Sequence, residues 1–199
     1  MGLLGTSKEE IFRRVADDIG GEFVKGGLIK GHKVVSIYKN WTIVLDTYTQ
    51  STGKTQTTYT RVRATFISKD DLRFKVYKSD VFSGIGKLFG MDVIKTADPT
   101  FDEAYTLKGN KELILKELFS NQKIQELFYD IDNINLEIKD SEGMLSNYPD
   151  GTDLLYFRTF GVIKDIDKLK KIIFLFCLIL ELFVVQDIAL DSAPEKTVK

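Results

Sequence analysis

Apolar residues recur at helical spacing at Ile11, Phe12, Val15 and Ile19, a stripe that predicts an amphipathic first helix. Ser7 with Glu10 three residues later forms a capping box, and Gly20-Gly21 supplies the stop. The period then changes. Runs rich in β-branched and aromatic residues cover 22–25, 33–39, 41–48, 57–67 and 72–78, separated by turns containing Gly, Asn, Ser and Asp, and this spacing predicts an antiparallel meander. The clearest alternation sets Thr60, Val62, Ala64 and Phe66, then Leu72, Phe74 and Val76, toward a core if a short turn joins the two strands. Their outward neighbours are then Tyr59, Arg61, Arg63, Arg73, Lys75 and Tyr77.

A short amphipathic segment with Val81, Phe82, Ile85, Leu88 and Phe89 follows, weakened by Gly84, Gly86 and Gly90. The second half predicts a strand at 101–107, helices at 111–119 and 121–128 capped by Asn110 and Ser120, and strands at 134–138, 144–146 and 154–162. Asp140-Ser141-Glu142-Gly143 reads as a hairpin turn. A long last helix starts near Asp165. Its run from Ile172 to Val185 is apolar apart from Glu181, and it falls short of the roughly 20 residues that cross a bilayer. Ile166, Leu169 and Ile173 give its first turns a stripe suited to packing on the sheet or on a second copy of itself, which makes a homo-oligomer or other protein contact through this helix an expectation. No βαβ alternation and no strict repeat is visible. The chain therefore reads as α+β, with antiparallel sheet or sheets, helices on one face and a long C-terminal helix. One domain over 1–190, or two subdomains at about 1–95 and 96–190, accommodates the length. The polar stretch 191–199 is expected to be a disordered tail.

With 43% hydrophobic and 29% charged residues among 199, the chain has the composition of a folding domain. Its formal net charge of -1 provides no global attraction to nucleic acid or anionic membrane, yet the charges are polarised. From Lys33 to Lys78 nine Lys and Arg stand against three Asp, whereas acidic residues predominate between Asp98 and Asp153. One cysteine, Cys177, excludes an internal disulfide, and one histidine, His32, excludes a multi-histidine metal site. The first residues lack the basic and apolar regions of a signal peptide, so a cytoplasmic location is expected, with membrane association as the alternative. Met1-Gly2 with Thr6 matches a myristoylation pattern only formally, since so short a motif recurs by chance.

Candidate chemistry is sparse. Gly53-Lys54-Thr55 has the end of a phosphate-binding loop, but Tyr48 occupies the position of its first glycine and a strand follows, so the segment reads as a polar hairpin loop. Gly84-Ile85-Gly86-Lys87 fails in the same way at Leu88. Asp130, Asp132, Asn133 and Asn135 cluster oxygen ligands, but Ile134 and Asn135 break the calcium-loop pattern and leave a solvated acidic turn. Cys177 lies in an apolar helix as a small hydrophobe, and His32 reads as an exposed turn histidine. No catalytic residue, cofactor or metal site is assigned. The most suggestive feature is the outward face of Tyr59, Arg61, Arg63, Arg73, Lys75 and Tyr77, where guanidinium groups hold phosphate and tyrosines stack. An anionic ligand or membrane surface is its functional reading. A solvated face neutralised by the acidic half is its structural one.

The stretch from Asp98 to Asn110 (Asp-Pro-Thr-Phe-Asp-Glu-Ala-Tyr-Thr-Leu-Lys-Gly-Asn), with the helix end at Leu118-Phe119-Ser120, resembles a family of uncharacterised bacterial proteins, a domain of unknown function. Tyr59 to Ala64 and Leu155 to Leu180 fit the same resemblance, which spans roughly residues 20 to 185. It implies a bacterial protein but carries over no activity, and membrane segments among related proteins keep that association open. The expected function is a non-enzymatic binding or interaction module. Its alternatives are an enzyme with an acidic site that no motif reveals and a peripheral membrane-associated protein.

Overall fold

The computed structural model describes residues 7–27, 31–79, 91–131, 133–141 and 148–198. The segment around Val81 to Phe89 and the strand expected at 144–146 lie outside them. Among the described residues nine strands form one fully antiparallel sheet: β1 (Glu22–Val24), β2 (Lys33–Tyr38), β3 (Trp41–Thr52), β4 (Thr55–Ile67), β5 (Phe74–Lys78), β6 (Asp92–Ile94), β7 (Tyr105–Gly109), β8 (Asn135–Lys139) and β9 (Thr152–Phe160). Five helices among the described residues accompany it: α1 (Lys8–Ile19), α2 (Pro99–Ala104), α3 (Glu112–Phe119), α4 (Gln122–Ile131) and α5 (Ile166–Val185). The α+β class, the antiparallel sheet and the long C-terminal helix all match the sequence.

The strand order is β1-β2-β3-β4-β9-β8-β5-β7-β6. The meander therefore runs only through β4. The alternation that places Val62, Ala64 and Phe66 with Phe74 and Val76 toward one core is observed, because all five are buried in one cluster. These two strands are not neighbours, however. β9 and β8 lie between them, and a same-facing pattern sets which side of a sheet a residue occupies without naming the strand beside it.

Local chemistry explains the element ends. Ser7 Oγ accepts from the Glu10 amide, and Gly20 closes α1 in the left-handed region at φ 65°. The β3–β4 hairpin is longer than the sequence suggests and turns on Gly53 and Lys54, with Thr52 paired to Thr55. Only Gly53, at φ 60°, is left-handed, as a two-residue type II′ turn needs at its first central residue. The strand expected at 101–107 begins instead as α2, since Asp98 caps the Thr100 and Phe101 amides and Pro99 occupies the first turn. Asn110 does not cap α3. Its side chain accepts from the Arg73 amide and donates to the Asp71 carbonyl, tying β7 to the entry of β5. Asn121, not Ser120, caps α4 through the Lys123 and Ile124 amides.

The helices cover one face of the sheet. α5 packs over β3 and β4 between α1 and α4, with Phe183 against Phe66 at 5.2 Å between ring centroids. Under the other half, Phe101, Tyr105, Phe119 and Phe128 form a tilted and edge-to-face cluster. The one acid in the apolar run of α5 is accounted for, because Glu181 accepts from the Tyr38 hydroxyl at 2.7 Å and pairs with Lys39. Among the described residues no helix is long and apolar enough to cross a membrane.

On the opposite face the C-terminal segment replaces the expected disorder. Val198 is buried against Val44, Leu154 and Tyr156, with Val35 and Tyr148 packed around them. Polarity predicted a free tail, but one valine near its end finds an apolar niche.

Candidate functional site

The opposite face is organised in cross-strand rows, since residues in register on an antiparallel sheet point the same way. One row reads Val35, Val44, Arg63, Tyr156, Glu137, Lys75, Lys108 and Val93 across eight strands. Its centre is buried, and Arg63 is only 3% exposed. Lys75 pairs with Glu137 at 3.2 Å, Glu137 pairs with Lys139 at 2.9 Å, and the Lys139 ammonium lies 4.0 Å from the centre of the Tyr156 ring. Burial pulls the Lys75 pKa below that of an ordinary lysine, against the opposing effect of Glu137. Burial pushes the Tyr156 hydroxyl well above the usual phenol range, and its neighbour Tyr48 adds to the shift.

The next row toward the β3–β4 hairpin is Lys33, Asp46, Arg61 and Arg158 on β2, β3, β4 and β9. Asp46 holds two arginines. Arg61 Nε and Nη2 donate to its two oxygens at 2.5 and 3.0 Å, while Arg63 Nη2 donates at 2.7 Å. A fork of this kind stabilises only while all its members are present, because a buried charge left alone costs several kcal/mol. Lys33 and Arg158 differ from these. Among the described residues neither has a carboxylate within 4 Å, although Lys33 sits in register with Asp46. Burial opposes the charge on Arg158, but its hydrogen bond to Tyr48 and neighbouring charges hold its pKa above the ordinary value.

The third row is aromatic. Tyr48 and Tyr59 stack with centroids 5.2 Å apart, and Phe160 meets Tyr59 edge-on at 6.0 Å. Arg61 lies over Tyr48 and Arg158 over Tyr59, at 4.8 and 5.7 Å. Phe160, 77% exposed, ends the row in solvent.

Beside these rows opens a cleft of about 840 Å³, walled by the β3–β4 stem, the β1–β2 loop and the start of α1. Lys8, Lys25, Lys33 and Arg61 line it, with Tyr48, three threonines and three glycines. Asp46 is the one carboxylate among the described lining residues, and it is already shared by Arg61 and Arg63. Lys8 donates to Thr47 Oγ1 at 3.1 Å, and Lys25 is 3.7 Å from Glu9. His32 is not a free turn histidine. Its Nδ1 accepts from the Gly26 amide and its ring packs on Phe23, so it fastens the loop that forms one wall.

The six residues of the expected anion-binding surface thus meet different fates. Tyr59, Arg61 and Arg63 stand together on β4, and Lys75 and Tyr77 lie three strands away on β5. Arg73 donates to Asp153 at 2.8 Å, and Tyr77 is buried. Sequence reasoning missed Lys8, Lys25, Lys33, Tyr48, Arg158 and Phe160. The signal for the last two was present, because Tyr156, Arg158 and Phe160 alternate on β9 as Tyr59, Arg61 and Arg63 do on β4. Among the described residues no three His, Cys, Asp or Glu side chains are grouped to hold a metal ion. Comparison with protein-family models, curated proteins and solved structures finds no match.

Proposed function

We propose that the chain is a non-enzymatic binding module that takes an anionic ligand in the cleft between the β3–β4 stem and the β1–β2 loop. The observation that carries this reading is the excess of cations there. Among the described lining residues Lys8, Lys25, Lys33 and Arg61 stand with one carboxylate, Asp46, which two guanidinium groups already occupy, while Glu9 outside the lining lies 3.7 Å from Lys25. A concave wall with low-dielectric sides focuses such a field, so an anion gains more there than on a flat basic surface. The same inventory favours binding over catalysis. Both carboxylate oxygens of Asp46 are occupied by arginine donors, while the His32 Nδ1 is occupied by a backbone amide.

Calorimetric titration with inorganic tripolyphosphate tests the proposal. Binding is expected at low ionic strength and should weaken steeply as salt is added. The double substitution Lys8→Gln and Lys33→Gln should reduce affinity at least about tenfold, since each charge-assisted contact contributes roughly 1.5–3 kcal/mol. Heat signals that are absent at low salt, or that the double variant leaves unchanged, would remove the cleft as the binding site.

A further inference from the structure

Resting on that reading, we infer that the anion is a nucleoside phosphate, with its phosphates in the cleft at Lys33 and Lys25 and its base against Phe160 and Tyr59. Three features converge on this ligand. First, Tyr48 belongs both to the cleft wall and to the aromatic row, so the cationic space and the ring ladder form one continuous surface. Second, the ladder ends in a ring that the described residues leave largely uncovered. Phe160 is 77% exposed and stands at 82° to the Tyr59 ring, so most of its surface is left for another π-system. Third, the charged row lies directly beside the aromatic row, and its outer cation, Arg158, has no carboxylate within 4 Å among the described residues. Arg158 therefore sits where a sugar phosphate would pass between ring and cleft.

The dimensions agree. From Phe160 on β9 to Lys33 on β2 the surface crosses three strand spacings, about 14 Å, a reach that a nucleoside triphosphate with its phosphate chain extended covers. A purely inorganic anion would use the lysines and leave Phe160 idle. A duplex would need a long basic stripe along its backbone, whereas the row containing Lys75 is interrupted by Glu137, which pairs with Lys75 and Lys139.

Parallel titrations with ATP, inorganic tripolyphosphate, adenosine and a single-stranded thymidine octanucleotide test the inference. ATP should bind at least about tenfold more tightly than tripolyphosphate, the advantage a stacked base supplies. Phe160→Ala, at an exposed position that leaves the thermal melt unchanged, should bring ATP down to the tripolyphosphate level without altering tripolyphosphate itself. Lys33→Glu should weaken both. The octanucleotide separates the sources of the shared chemistry: tighter binding than ATP, lost in Phe160→Ala, places the nucleoside phosphate within a single strand, and weaker binding places it free in solution. Equal affinity for ATP and tripolyphosphate, or a Phe160→Ala variant that keeps the difference, overturns this inference while the anion-binding cleft stands. Failure of both ligands to bind overturns both.

Discussion

Tyr156 shows how a single side chain on the opposite face couples to pH. It is flanked by Arg63 and Glu137 in its row, covered by Val198, and its hydroxyl lies 3.5 Å from that of Tyr48. Its pKa is raised in the folded chain, chiefly by burial. The unfolded chain therefore loses this proton first, as pH passes about 10. Stability that is fully present below that value falls as pH climbs toward the folded pKa. Melting temperatures measured between about pH 9.5 and 11 should drop more steeply for the natural chain than for Tyr156→Phe. The lowered pKa of Lys75 acts in the opposite sense, raising stability as pH approaches 10.5, but it is common to both proteins and cancels in the comparison. Parallel slopes would show that the hydroxyl is solvated. Such residues were only half legible in the sequence. The alternation Tyr59, Arg61, Arg63 fixed their shared face, but the partner that the two arginines share, Asp46, is fifteen residues from Arg61 and became visible only with the β3–β4 register. Lys8 and Lys25 carried no signal, since a lone lysine beside a helix start or a glycine loop reads as solvated until the cleft is seen.

Among the elements, α5 answered its sequence most fully. Asp165 caps it by accepting from the Lys168 amide, and Leu169, Ile172, Phe176, Ile179, Leu180 and Phe183 are buried on one side. Phe174 remains 49% exposed two residues from Phe176, which is fully covered. The pair predicts a phase-dependent result. Phe176→Ala should cost roughly 3–5 kcal/mol through the cavity it leaves, while Phe174→Ala should change stability by no more than about 0.5 kcal/mol, as surface replacements do. Urea melts of both variants check this, and similar losses at the two positions would mean that the helix is rotated or covered by a second copy. The burial of Cys177, which pushes its thiol pKa to about 11, fits the same packing. Where the sequence misled, competing local signals were responsible. Phe101 to Leu107 has strand composition, yet Asp98 and Pro99 start a helix that lasts until Ala104 and only then releases the chain into β7. Near Asn110, Asn and Ser were equal candidates for caps. Asn110 was taken by the β5 entry and Ser120 by the end of α3, leaving the role at α4 to Asn121.

For the whole molecule, the fold class followed from the absence of βαβ units and from the run of alternating strands, but the strand order did not. Periodicity reports which face a residue occupies, and two strands with matching faces can sit side by side or, as β4 and β5 do, three places apart. The insertion of β9 beside β4 has a consequence in time. β4 is thirteen residues long, and its partner on one flank, β3, precedes it directly, whereas the partner on the other flank does not begin until Thr152. A chain growing from its N-terminus therefore presents a long, alternating edge while more than eighty further residues are added, and an unpaired edge is a template for other chains. Pairings across such separations are slow to close, which places refolding in the millisecond-to-second range. A fragment ending at residue 150 should accordingly aggregate at concentrations where the full chain stays monodisperse, as light scattering would report. The order in which the ribosome delivers the strands thus sets a window of vulnerability that the finished sheet, with its two three-residue edges β1 and β6, no longer shows.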